Sequence, residues 1–249
     1  MGIFKRKSRV DNNTTKNGVK LITVAKPKSV AAEQFRTVRT NIHFMAVLKT
    51  IAFTSANISE GKSTVAANLA VVWAQEGKSV LLIDADMRRP TLNSTFDLTG
   101  QSGLSTVLSS DQSEVNLNDL IQESGIEGLS LLPSGAVPPN PAELLSSQRM
   151  KVLLEAVKSQ YDLVVLDVPP MLEVTDTQTI AGSVDGVVLV VRQGMTQKAG
   201  VRRVVELLKM SHARLLGYVM NDVIPEDDAG YGYGYGYGYG YGYEKESEN

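Results

Sequence analysis

The chain has no cysteine and only two histidines, His43 and His212. Disulfides, thiolate metal sites and cysteine nucleophiles are excluded, and two isolated imidazoles do not make a zinc site. Both histidines read as ordinary helix residues. An excess of positive charge is missing too: 25 Lys and Arg stand against 27 Asp and Glu, a formal net charge of −2. Broad attraction to a phosphate backbone needs the opposite balance, so nucleic acid is not an expected partner. No apolar run approaches the ~20 residues that span a bilayer, and Met1 to Asn13 lacks the apolar core of a secretory signal. A cytoplasmic location is expected. Lys5, Arg6, Lys7 and Arg9 have no apolar face beside them and give at most weak attachment to anionic lipid.

What is present is enough for one substantial core, with 249 residues of which 43% are hydrophobic. Residues 1–25 are polar and poorly periodic and read as a mobile arm, with a short extended piece at Leu21 to Val24. Residues 26–225 carry the folded pattern. Val30, Phe35, Val38, Ile42 and Met45 recur at helical spacing behind Ser29, an expected N-cap. Apolar runs at Thr50–Thr54, Val80–Ile83, Leu129–Leu132, Leu163–Leu166, Val187–Val191 and Leu215–Met220 alternate with helical segments. Runs of that kind mark strands buried on both faces, so the fold class is α/β, a doubly wound, mainly parallel sheet with helices on both faces and ligands at the carboxyl ends of the strands. Residues 226–249 lose this periodicity. Tyr231 to Tyr243 alternates Tyr and Gly, holds seven of the nine tyrosines, and reads as a disordered low-complexity tail.

Ser55-Ala-Asn-Ile-Ser-Glu-Gly-Lys-Ser-Thr64 lies between a strand and a helix, where a Gly-Lys-Ser/Thr run becomes a P-loop. Backbone amides of Ser59, Glu60, Gly61, Lys62, Ser63 and Thr64 would face phosphate oxygens, Lys62 would neutralise the β- and γ-phosphates, and the Ser63 hydroxyl suits Mg²⁺. The loop is a variant, with Ala56 where the general pattern has its first glycine. Asp84 and Asp86 close the second strand and share a side if that strand persists. Asp167 closes a later strand in the position of a Walker B aspartate. Carboxylates so placed serve a divalent ion, with Ser63, Asp84 and Asp167 as its ligands, or a proton transfer.

Together, Ser55–Thr64, Ile83-Asp-Ala-Asp-Met-Arg88, Leu166-Asp-Val-Pro-Pro170 and the tyrosine cluster resemble the bacterial tyrosine kinase (BY-kinase) family, the cytoplasmic kinases of capsule and exopolysaccharide synthesis. The likeness covers residues 20–243. It implies a P-loop kinase domain over 26–225 that uses ATP and Mg²⁺ and phosphorylates its own Tyr231, Tyr233, Tyr235, Tyr237, Tyr239, Tyr241 and Tyr243. It also implies a ring-shaped homo-oligomer, an octamer, built through Glu33, Arg36 and Arg39. These stand at i, i+3 and i+6 and can share a helix face. Implied partners are a membrane-anchored polysaccharide chain-length regulator that activates the kinase at the inner face of the membrane, and a cognate tyrosine phosphatase.

The sequence departs from the family at Ile58-Ser59, where Pro-Gly is usual, and at Val168, where Ser or Thr is usual. If position 59 needs a positive φ, Ser59 bears strain. Asp86 or Asp84 is the expected proton acceptor, Asp86 being favoured by the resemblance, and Asn221 contacts adenine or caps. The alternative is a non-kinase ATPase switch of the partition or division-site type, which carries an extra lysine near Asn57 and no tyrosine tail.

Overall fold

The computed structural model describes residues 13–45, 47–110 and 115–224. The tyrosine tail lies outside them. Two single helical turns, α1 (Thr14–Asn17) and α2 (Ile22–Ala25), precede α3 (Val30–Met45), β1 (Thr50–Ser55), α4 (Lys62–Ala74) and β2 (Val80–Asp84). Short helices α5 (Leu92–Thr95) and α6 (Leu104–Ser109) lead to β3 (Gln122–Glu123) and β4 (Leu129–Leu132). Then come α7 (Pro141–Ser146), α8 (Gln148–Gln160), β5 (Leu163–Asp167), α9 (Asp176–Ala181), β6 (Gly186–Arg192), α10 (Lys198–Met210) and β7 (Leu215–Asn221).

The strands form one sheet in the order β3-β4-β2-β5-β1-β6-β7, parallel except for β3 against β4. Successive side chains leave a strand on opposite faces, so each central strand feeds two cores. Ile51, Phe53, Leu82, Val165 and Val188 join α4 on one face, while Ala52, Leu81, Leu166 and Leu189 join α8 and α10 on the other. This explains the continuous apolar runs: both faces of β1, β2 and β5 are covered.

Helix α4 is apolar all round because it is sandwiched between the sheet and α2 and α3. Its one internal polar side chain, Asn68, is fully used. Oδ1 accepts from Thr23 N (3.1 Å) and Thr23 Oγ1 (2.9 Å), while Nδ2 donates to the carbonyls of Lys20 (2.8 Å) and Thr64 (2.9 Å). Residues 20–25 are thereby fixed to the helix that opens the P-loop.

This corrects the reading of the N-terminal segment. The extended piece expected at Leu21 to Val24 is a helical turn, and residues 13–25 pack on the domain rather than forming an arm. The Ile-Thr-Val run has strand propensity, but both of its Thr23 donors bond to Asn68, off any sheet edge. His212 is likewise not helical; it sits in the turn after α10 with φ 53°. Ser29 caps α3 as expected, its Oγ accepting from Ala32 N at 3.2 Å. Among the described residues no helix is long and apolar enough to cross a membrane.

Candidate nucleotide-binding and phosphoryl-transfer site

The carboxyl ends of β1, β2 and β5 meet at one place, since β5 lies between the other two. The loop from β1 wraps into the first turn of α4, whose leading amides lack helical partners and carry the positive end of the helix dipole. Gly61 turns the chain at φ 94°. A Cβ there would stand 2.0 Å from Asn221 Nδ2, so any other residue would strain the backbone and push that side chain off the loop. Ser59 also has positive φ, 63°, so the condition under which this departure from glycine bears strain is met.

Lys62 is the electrostatic centre. Its Nζ lies 2.8 Å from Asp86 Oδ2, 3.0 Å from Asp167 Oδ1 and 3.3 Å from Ser63 Oγ. All three charged groups are buried. Burial alone would lower the lysine pKa, but the charges of Asp167 and Asp86 and their hydrogen bonds outweigh it and hold the ammonium well above its usual value. Asp167 is pushed up by burial and by Asp86, against the pull of Lys62 and Ser63.

Asp84 stands apart from this clasp. Its register partner across the sheet is Asp167. The carboxylate is occupied by backbone: Oδ2 accepts from Thr91 N (2.8 Å) and Leu92 N (3.1 Å), and Oδ1 from Asp86 N (3.2 Å). Burial and the facing Asp167 charge raise its pKa to about 7 despite those amides. The strand stops at Asp84, so Asp86 reaches the site from the following turn rather than by strand alternation. Lys62 therefore joins Asp86 and Asp167, with Asp84 bracing the 91–92 turn behind them.

Asp167 Oδ2 is buried with no hydrogen-bond partner among the described residues. An open carboxylate oxygen beside the Ser63 hydroxyl fits a hard cation that also takes phosphate and water oxygens. Among the described residues there is no group of His, Cys, Asp and Glu able to cage a metal alone.

Glu60 and Asn221 were expected at the nucleotide. The Glu60 carboxylate instead turns into its own loop, accepting from Ala56 N (2.8 Å), Asn57 N (3.2 Å) and Asn57 Nδ2 (3.1 Å), which leaves its backbone amide as the group for a phosphate. Asn221 Nδ2 donates to the Glu60 carbonyl at 3.1 Å, a brace from β7 onto the loop. Sequence reasoning missed Arg192 and Asp222. Arg192 Nη1 donates to the strained Ser59 carbonyl (3.0 Å) while Nη2 and Nε hold Asp222 Oδ2 at 2.7 and 3.0 Å. The available signal was an arginine closing an apolar strand at the ligand end of the sheet.

On α3 the expected interface residues divide. Arg36 pairs with Glu33 and donates to the Pro27 carbonyl (2.9 Å). Arg39 turns inward, donating to the Val72 carbonyl (3.1 Å) and standing 3.7 Å from Glu76. The three charges do not present one outward face, because Arg39 is drawn to the carbonyls of α4.

A parallel α/β sheet with this loop, lysine and paired aspartates defines a P-loop nucleotide-binding domain. The family model that matches, described as an AAA domain, spans residues 48–218. The tyrosine-protein kinase YwqD of Bacillus subtilis (strain 168) is 47% identical over 204 residues, covering 81% of this chain and 85% of YwqD. The solved kinase domain of the Escherichia coli tyrosine kinase ETK superimposes with TM-score 0.79 at 34% identity, covering 93% of this chain and 89% of that one. The chimerical protein CapA2B2 gives 0.76 at 38%, covering 82% and 92%. The chain belongs to the bacterial tyrosine-protein kinases.

Proposed function

We propose that the chain transfers the γ-phosphate of ATP to the tyrosines of its own C-terminal cluster, Tyr231 to Tyr243, and that this regulates capsule or exopolysaccharide synthesis and export. The observation that carries the reading is Lys62 held between Asp86 and Asp167 at the first turn of α4. The phosphates of ATP compete with those carboxylates for the lysine. When Lys62 moves to the phosphates, the Asp86 carboxylate loses its cation and becomes free to take the phenolic proton. The tyrosine oxygen then bonds to the γ-phosphorus, the bond to the β-γ bridging oxygen breaks, and ADP leaves.

Ser63 and the open oxygen of Asp167 are the residues that would hold Mg²⁺, with Asp84 behind them. When bound it supplies neutralisation of the β- and γ-phosphate charge. The backbone amides of Ser59 to Thr64 would cradle the phosphates, with adenine toward Asn221.

A Gly-rich stretch as long as the cluster spans roughly 25 Å on average, enough to enter the site of a neighbouring copy. We place that neighbour in a ring, an octamer by family likeness, with Glu33 and Arg36 at the contact and Arg39 holding α3 from behind. The domain would then take in the packed residues 13–25 together with 26–225, with the tail at 226–249. An activating partner of the chain-length regulator type would recruit the kinase to the cytoplasmic membrane face, and a phosphatase would reverse the modification. Against the partition-type switch, the position of its extra lysine is Asn57, bonded to Glu60.

The test is incubation with MgATP and the activator fragment, read by phosphotyrosine detection. Wild type gains label, while Lys62→Met and a tail with all seven tyrosines changed to Phe do not. Label retained on the Phe tail would move the acceptor elsewhere; none on any protein would refute the kinase reading.

A further inference from the structure

Beside the Lys62 site lies a cavity of about 700 Å³, lined by Arg88, Met171, Leu172, Glu173, Gln178 and Arg203 among others. No step of the transfer derived above uses it. Its floor is fastened to the P-loop: Met171 N donates to the Ser55 carbonyl (2.8 Å) and Leu172 N to the Ala56 carbonyl (3.2 Å). The Pro169 carbonyl accepts from both Thr54 Oγ1 and Thr177 Oγ1 at 2.8 Å. This part of the lining is therefore tied directly to the loop that carries Lys62.

The spacing is informative. Arg88 follows Asp86 by two residues, so their Cα atoms are at most about 7 Å apart. In an extended Tyr-Gly repeat, successive tyrosines project to the same side and recur every ~6.7 Å. An extended tail laid along residues 86–88 with one tyrosine at Asp86 would bring the next within reach of Arg88. Both arginines are exposed at the cavity. Arg203 is paired with Glu206 at 3.1 Å, each side chain more than half exposed, and an exposed pair of this kind is weak and readily exchanged. Glu173 and Glu206 bring opposing charge to the cavity, and Arg88 has a partner of its own that an incoming phosphate would have to displace.

We infer that Arg88 and Arg203 form a subsite for the anionic group of an already phosphorylated tail tyrosine, so that each transfer favours the adjacent tyrosine as the next acceptor. A phosphate dianion takes charge-assisted, bidentate hydrogen bonds from a guanidinium that a neutral phenol cannot. The acidic flanks, Glu226 to Asp228 and Glu244 to Glu248, offer the same chemistry to start the series. This rests on the tail being the substrate.

The experiment uses full-length protein with its seven tail tyrosines changed to Phe. Fluorescent tail peptides are titrated by anisotropy in unphosphorylated form, with a single phosphotyrosine, and with the acidic flanks neutralised. The phosphorylated peptide is expected to bind about tenfold tighter than the unmodified one. Arg203→Glu should erase the difference and Glu206→Gln widen it, with ATP binding unchanged in both. In transfer assays the preference should fall on KM rather than kcat. Equal affinity for the two peptides, a preference surviving Arg203→Glu, or a preference that follows the acidic flanks alone would overturn the subsite. Anisotropy needs no catalysis, so a failure to phosphorylate any peptide counts against the kinase reading and leaves the subsite result legible.

Discussion

The Nζ atom of Lys62 stands 2.8 Å from Asp86 Oδ2, so one salt bridge ties the P-loop lysine to the residue proposed as proton acceptor. Neither can act while bound to the other. Removing one partner of a buried pair leaves the other charge uncompensated, at a cost of about 3–5 kcal/mol. Lys62→Met strands both Asp86 and Asp167, and should lower the unfolding free energy by that order in denaturant titrations as well as abolishing phosphotyrosine formation. Adding Asp86→Asn should recover part of the stability and none of the activity.

Asp84 and Asp86 should separate cleanly. Asp86→Asn keeps the shape and loses the base, so kcat should fall at least roughly a hundredfold, while Asp167 remains as a counter-charge for Lys62 and keeps the loss of stability well below that of Lys62→Met. Asp84→Ala leaves the buried amides of Thr91 and Leu92 without acceptors, and unsatisfied buried donors cost about 1–3 kcal/mol each. Its signature is a lowered melting temperature. Equal melting of the two variants would contradict the bracing role of Asp84.

Ser59 occupies left-handed backbone at a cost of roughly 1–2 kcal/mol for an L-residue, part of which glycine offsets. Ser59→Gly should match or slightly exceed wild-type stability and retain ATP binding. A β-branched residue is a genuine outlier there, and Ser59→Val should weaken both in calorimetry.

Asp185 gives a pH dependence away from the active site. It accepts from Lys49 N and Thr50 N, each at 2.8 Å. Partial burial pushes its pKa up, but those amides, the Thr50 hydroxyl and Lys158 outweigh it and hold the value below the usual range. A depressed folded-state value means the stabilisation is present above the unfolded carboxylate's pKa and is lost as pH falls through the folded one. Asp185→Asn should therefore cost stability at neutral pH and converge with wild type in acid, measured by denaturant midpoints across the range.

Phosphorylation of the seven tyrosines would add roughly 10–14 negative charges. One phosphate suits the arginine subsite, but the summed charge of seven far exceeds what two guanidiniums offset, so a fully modified tail returns poorly to a neighbouring copy and the ring loosens. Light scattering should report a smaller particle after MgATP treatment and a return to the larger one after phosphatase. An unchanged mass would disconnect the tail from assembly.

Much of this molecule was legible without coordinates. Strands buried on both faces must be continuously apolar, so their positions, the parallel class of the sheet and the P-loop between β1 and α4 could be read from local pattern alone, whereas strain at Ser59 could be raised only as a condition, from the glycine usual in the family. What local pattern does not carry is which distant groups share a place. That Lys62 clasps Asp86 and Asp167 follows from β5 lying between β1 and β2. The turning of Asp84 toward Thr91 and Leu92, of Arg39 toward α4 and of Ile22–Ala25 onto Asn68 each depends on an acceptor or donor far along the chain. A buried polar group must find its partner, and only the packed chain decides which partner is within reach.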